Sequence, residues 1–97
     1  MSTQDNENEF APMADEDLLH ELTLALVDNT REVKITSQED ERGKLLVIHC
    51  SVDDRNKIIG SGGCNIKSIQ RLFRSIAAFD GRRISVALAN RSREMQD

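Results

Sequence analysis

Tryptophan and tyrosine are absent from these 97 residues, and phenylalanine occurs only at Phe10, Phe73 and Phe79. With Phe73 and Phe79 assigned to the core, no set of exposed rings remains for bases to stack on. That excludes binding surfaces of the aromatic-platform kind. Cysteine occurs twice, at Cys50 and Cys64. Two thiols are too few for a disulfide framework, and neither has the neighbouring His or Cys of a zinc site. Both are expected reduced, Cys50 as a small core residue within a strand. No stretch approaches the roughly 20 apolar residues of a membrane span. The opening MSTQDNENEF lacks the basic and apolar regions of a secretory signal, so a cytoplasmic protein is expected. No His–carboxylate, Ser–His or metal-ligating cluster converges, and 38% hydrophobic residues support a modest core rather than a large cavity. An enzyme, a cofactor and a metal are not expected.

What is present is charge, unevenly placed. Residues 1–41 carry twelve Asp and Glu against Arg31 and Lys34, a net −10. Residues 42–97 carry eleven Lys and Arg against five acids, a net +6. The overall charge of −4 conceals this division, so it does not exclude a polyanionic partner for the second part.

Residues 1–14 are rich in Asn, Gln, Glu and Asp and are expected to form a disordered acidic tail. ADEDLLHELTLALVD reads as a helix. Asp15, Glu16 and Asp17 suit the positive end of its dipole; Leu18, Leu22, Ala25 and Leu26 form an apolar stripe with Leu19 beside it. Leu24 falls off the stripe and is expected exposed, and Asn29 is the expected stop. EVKITSQ and KLLVIHCSV read as strands joined by the charged link EDERG, the second the more central. DDRNKII supplies one or two helical turns capped by Asp53 or Asp54. NIKSIQRLFRSIAAF is the clearest helix, with Asn65 as N-cap. Ile66, Ile69, Leu72, Phe73, Ile76 and Ala77 share a face, while Lys67, Arg71 and Arg74 lie on or near the other. RISVALA is the last strand, and residues 91–97 are expected to fray. The expected fold is α+β in two layers, order α-β-β-α-α-β over residues 15–90. Its sheet has three strands in a mixed arrangement, with the helices packed on one face.

Between the last two helices lies KIIGSGGCNIKSIQ, with Gly60, Gly62 and Gly63. A plain helix–helix turn needs fewer glycines, which suggests that something approaches the backbone here. The nucleotide P-loop fails, because Asn65 and Ile66 stand where Gly and Lys belong. The dinucleotide fingerprint fails at Asn65, and the loop follows a helix rather than a strand. Helix, G-x-x-G, helix fits an RNA-clamping arrangement. Glycine lets phosphate pack against the main chain, and the next helix offers free N–H groups and its positive dipole end.

IIGSGGCNIKSI resembles the KH signature of two aliphatics, Gly-x-x-Gly, two residues, Ile, two residues, Ile. The element order resembles the type II, mostly prokaryotic form of the KH domain. VDDRNKIIGSGGCNIKSIQRLFRSIAAFDGRRISVALAN is similar to the small single-domain KhpA-like KH proteins of bacteria. The likeness lies in size, in the acid–acid start and in the closing GRRISVALA strand, over roughly residues 16–90. It implies a cytoplasmic protein that clamps single-stranded RNA with the Gly60–Gly63 loop and the adjacent helix. It also implies homodimers, or heterodimers with a second, larger KH protein. Members are linked to small-RNA metabolism and to control of cell elongation and division. Carried onto this chain, the RNA-binding positions are Lys57, Ile58, Ile59, Gly60, Ser61, Gly62, Gly63, Cys64, Asn65, Lys67 and Arg71.

One departure is visible. Family loops usually carry Lys or Arg between the glycines; here the pair is Ser61 and Gly62, followed after Gly63 by Cys64. Lys57, Lys67 and Arg71 are left to bring charge from the flanks. The alternative reading is a KH-fold protein-interaction module with weak or lost RNA binding, which the uncharged loop favours and the basic excess of residues 42–97 opposes. Taken alone, Lys67, Arg71 and Arg74 would be a solvated helix face, and Arg82 and Arg83 a solvated turn. His20 and His49 read as surface or strand residues.

Overall fold

The computed structural model describes residues 13–89. The expected tails, 1–14 and 91–97, lie outside the described residues apart from Met13 and Ala14. The chain forms α1 (Asp15–Leu24), β1 (Lys34–Asp40), β2 (Gly43–His49), α2 (Arg55–Ile59), α3 (Cys64–Phe79) and β3 (Ile84–Leu88). β2 lies centrally, antiparallel to β1 and parallel to β3. A parallel pair needs a long crossover, and α2, the glycine loop and α3 provide it. α3 packs against β3, and α1 lies across β1 and β2, which gives the expected two-layer α+β fold.

Alternation along the strands creates the inner face. Leu46, Ile48, Ile84 and Val86 are buried, with Leu46 opposite Val86, while Ser85 between them is exposed. α3 lays Ile69, Phe73 and Ala77 on that face at helical spacing, flanked by half-buried Ile66 and Ile76. Phe73 is fully buried, and hiding a side chain of that size contributes about 1.5–3 kcal/mol. Ile58 brings α2 into the same core, and Leu19 brings α1.

Several local expectations are corrected. Along α1 and the turn after it, Leu19 and Thr23 are fully buried, Leu18, Leu22 and Leu26 half-buried and Ala25 exposed. Thr23 is buried one turn after Leu19 because its hydroxyl donates to the Leu19 carbonyl at 2.8 Å, satisfying it inside the core. The helix ends at Leu24, five residues before Asn29, and the turn that follows folds Leu24 against the core at half burial. The hairpin link is shorter than EDERG, since pairing continues to Asp40 opposite Gly43 and leaves only Glu41 and Arg42 in the turn. Cys50 lies just past the end of β2, half-buried. Phe79 is not core: it is 91% exposed. It stands two residues after buried Ala77, which on a helix is the opposite side. Leu72, one residue before Phe73, is likewise exposed at 44%.

Candidate nucleic-acid interface

The glycine loop has two parts with different needs. Gly60 closes α2 at φ 80°, ψ 168°, a conformation that is essentially glycine's alone. A Cβ there would stand 2.7 Å from Asn65 Cγ and 2.8 Å from the Asn65 amide nitrogen, so the first turn of α3 occupies its place. Gly62 and Gly63 are left-handed, at φ 64° and 79°. A Cβ on Gly62 would meet nothing within 4 Å, and one on Gly63 would only touch the Lys67 side chain. The backbone over Ser61–Gly63 is therefore open to an approaching group. Helix α3 begins at Cys64 with Gly63 at its N-cap, so no side chain caps it. Asn65, the expected cap, sits inside the helix instead, and its Nδ2 donates to the Lys57 carbonyl at 2.9 Å.

Beneath the loop, Asp54 is buried where a capping residue was expected. It caps no N–H of its own helix. Its carboxylate instead accepts the backbone N–H groups of Asn29 at 2.9 Å and Asp28 at 3.2 Å, just past the end of α1. The Ser51 hydroxyl and the Lys57 ammonium also donate to it, at 3.1 and 3.2 Å. The Asn29 N–H, helped by Asp28, Lys57 and Ser51, holds the carboxyl down to about 2 against the burial that works to raise it. Lys57 bonds the Asp28 carboxylate as well, and Asp28 and Asp54 together push its pKa up. The ammonium of Lys57 is thus neutralised within the fold.

The two sides of α3 differ. Lys67, Arg71 and Arg74 are exposed, share one side at helical spacing, and form no ion pair among the described residues. Gln70 lies on the same side and donates to the Val86 carbonyl of β3 at 3.0 Å. A depression of about 160 Å³ runs there between Gln70, Arg74 and Ile84–Val86. The other side faces α1 across an apolar depression of about 300 Å³, lined by Leu22, Ala25, Leu26, Ile69 and Leu72 and bordered by Asn65.

Residues 16–88 match the family described as the KhpA/KhpB KH domain. The chain belongs to this KH-domain family. The RNA-binding protein KhpA of Streptomyces coelicolor is 29% identical over 75 residues, covering 77% of this chain and 91% of that protein. The RNA-binding protein KhpA of Mycobacterium tuberculosis is 31% identical over 70 residues, covering 72% and 84%. That of Mycobacterium leprae is 30% identical over the same shares. No solved structure is a significant match.

In this KH domain the loop brings Ser61, Gly62, Gly63 and Cys64 together on an open turn, with Lys67 and Arg71 beyond them on α3. Ile58 is core and Ile59 is half-buried. Lys57 and Asn65 turn away from the basic side, toward α1. Gln70 and Asp54 were not among the expected site residues. Gln70 is betrayed only by its spacing from Lys67 and Arg74. The backbone N–H partners of Asp54 lie 25 and 26 residues away, and no local pattern signals them.

Proposed function

We propose that this KH domain binds single-stranded RNA in the cytoplasm. The backbone of Ser61–Gly63 and the first turn of α3 receive phosphates, and Lys67 and Arg71 add charge from the helix. The observation that carries this reading is an open glycine backbone beside cations that no described acid neutralises. The RNA-binding relatives of Streptomyces coelicolor and Mycobacterium tuberculosis support it. A KH loop clamps about four nucleotides, and the positive dipole end of a sixteen-residue helix favours phosphate at that point. With no cation in the loop itself, backbone N–H groups carry the contact there, and discrimination between bases falls to the α3–β3 side with Gln70 and Ser85.

The test is the double change Ser61→Asp and Gly62→Asp. Ser61 is exposed, and a side chain on Gly62 meets open space in a left-handed conformation that Asp tolerates better than most residues. Fluorescence anisotropy with single-stranded RNA should show at least about tenfold weaker binding. The melting temperature should stay close to that of the wild type. Unchanged affinity would remove the loop from the interface.

A second reading rests on Phe79 and Leu72, two exposed apolar side chains on the side of α3 away from Lys67 and Arg71. We propose that this side pairs with a second copy of the chain, Phe79 of each copy entering the other's depression beside Leu22 and Leu26. Two-fold pairing makes such a knob and hollow self-complementary. A larger KH protein offering the same surface is the alternative occupant.

A further inference from the structure

We infer that Asn65 is a positioning residue that sets the shape of the RNA-contacting loop from behind, without touching RNA. This rests on the RNA-binding reading of the loop. Three of its four residues are glycines with positive φ, so the segment has little side-chain scaffolding of its own. Asn65 supplies that scaffolding. Its Nδ2 bonds the Lys57 carbonyl, eight residues back, and joins the first turn of α3 to the end of α2 across the loop. That carbonyl belongs to the last turn of a five-residue helix, where the helix itself has no further N–H to offer. Gly60 lacks a Cβ at the point where Asn65 Cγ and Cβ come to 2.7 and 2.9 Å of the place one would fill. Glycine and asparagine are thus fitted to each other.

Lys57 is itself held at both ends. Its carbonyl accepts from Asn65, and its ammonium bonds Asp54 and Asp28. Asp54 in turn accepts the N–H groups of Asp28 and Asn29 past the end of α1. A continuous set of bonds therefore references the loop to α1, and Asn65 is its last link. Asn65 borders the apolar depression shared with Leu22 and Leu26, on the side of α3 away from Lys67 and Arg71. A side chain placed there orders the loop before RNA arrives. Without it, that ordering becomes part of the free-energy cost of binding.

The experiment uses Asn65→Ala in the full chain. Alanine suits a helix first turn, so α3 is retained. The probe is a short labelled single-stranded RNA, and amide hydrogen exchange is followed without RNA. We expect affinity to fall about tenfold. Exchange should quicken at Gly63, whose N–H bonds the Gly60 carbonyl at 3.0 Å, and stay unchanged in β2. Faster exchange in β2 as well would mean that Asn65 merely supports the fold. In the Ser61→Asp, Gly62→Asp background, Asn65→Ala should weaken any remaining binding no further, because it acts through the loop. An additive loss there would overturn the inference, as would a single variant with wild-type affinity. Failure of the wild-type protein to bind RNA would instead sink the functional reading. Asn65→Ser repeats the set with a smaller change in polarity.

Discussion

Asp54 shows how much one side chain can hold. It is buried, accepts two backbone N–H groups from the segment after α1, and takes Ser51 and Lys57 as further donors. Changing Asp54→Asn puts an NH₂ group where some of these donors point and removes one of the two carboxylates that Lys57 meets. Such a change belongs to the class with large effects, a fall in melting temperature on the order of 10 °C for a domain this size, read by circular dichroism. The pH dependence has a definite sign. The folded-state pKa of about 2 lies below the roughly 3.9 of an unfolded Asp, so folding favours the ionised form. Its stabilisation is complete above about pH 4 and is lost as pH falls from 4 toward 2. Urea midpoints should drop across that window, and less steeply in Asp54→Asn. Some acid dependence should survive in the variant through Asp15. Burial alone would raise the Asp15 carboxyl, but Arg82 and Lys44 together hold it below its ordinary value.

At the scale of elements, α3 is a helix with three kinds of surface: a buried face, a basic side and an apolar side. The buried face and the basic residues were readable from spacing alone, and so were the element order, the central place of β2 and the glycine loop. The apolar side was not. Leu72 and Phe79 look like core by residue type, but one residue before Phe73 and two after Ala77 they point off the buried face. Asn65 was misread as a cap for a similar reason, since Asn before an apolar run usually is one. Here Gly63 starts the helix and frees the Asn65 carboxamide for Lys57. The exposed apolar side is tested by Phe79→Glu, which disturbs no packing because the ring is 91% exposed. Sedimentation velocity should find dimers in the wild type and monomers in the variant, with the same melting temperature. A wild type that stays monomeric at high concentration would rule out self-pairing. A shift only on adding a larger KH protein would assign the side to that partner.

Over the whole molecule, the sequence suggests an acidic first part beside a basic second part, but folding interleaves them. Lys44 pairs with Asp15 and Glu16, Arg82 with Asp15 and Asp80, and Lys57 with Asp28 and Asp54. The cations left for a polyanion are therefore fewer than the net +6 of residues 42–97 suggests. If Lys67, Arg71 and Arg74 each meet one phosphate, the slope of log affinity against log salt for single strands is about −2. Anisotropy titrations across a salt series measure it; a slope near −5 would show that cations beyond these three join them. The same pairings orient the domain. Asp15 at the start of α1 is pinned by Lys44 and Arg82, while Asp28, just past its end, meets Lys57 beside the loop. α1 thus runs from the hairpin end of the domain to the loop end. A label attached at Met13 or Ala14, both exposed, therefore sits at the hairpin end of the domain and leaves Gly60–Gly63 uncovered at the other.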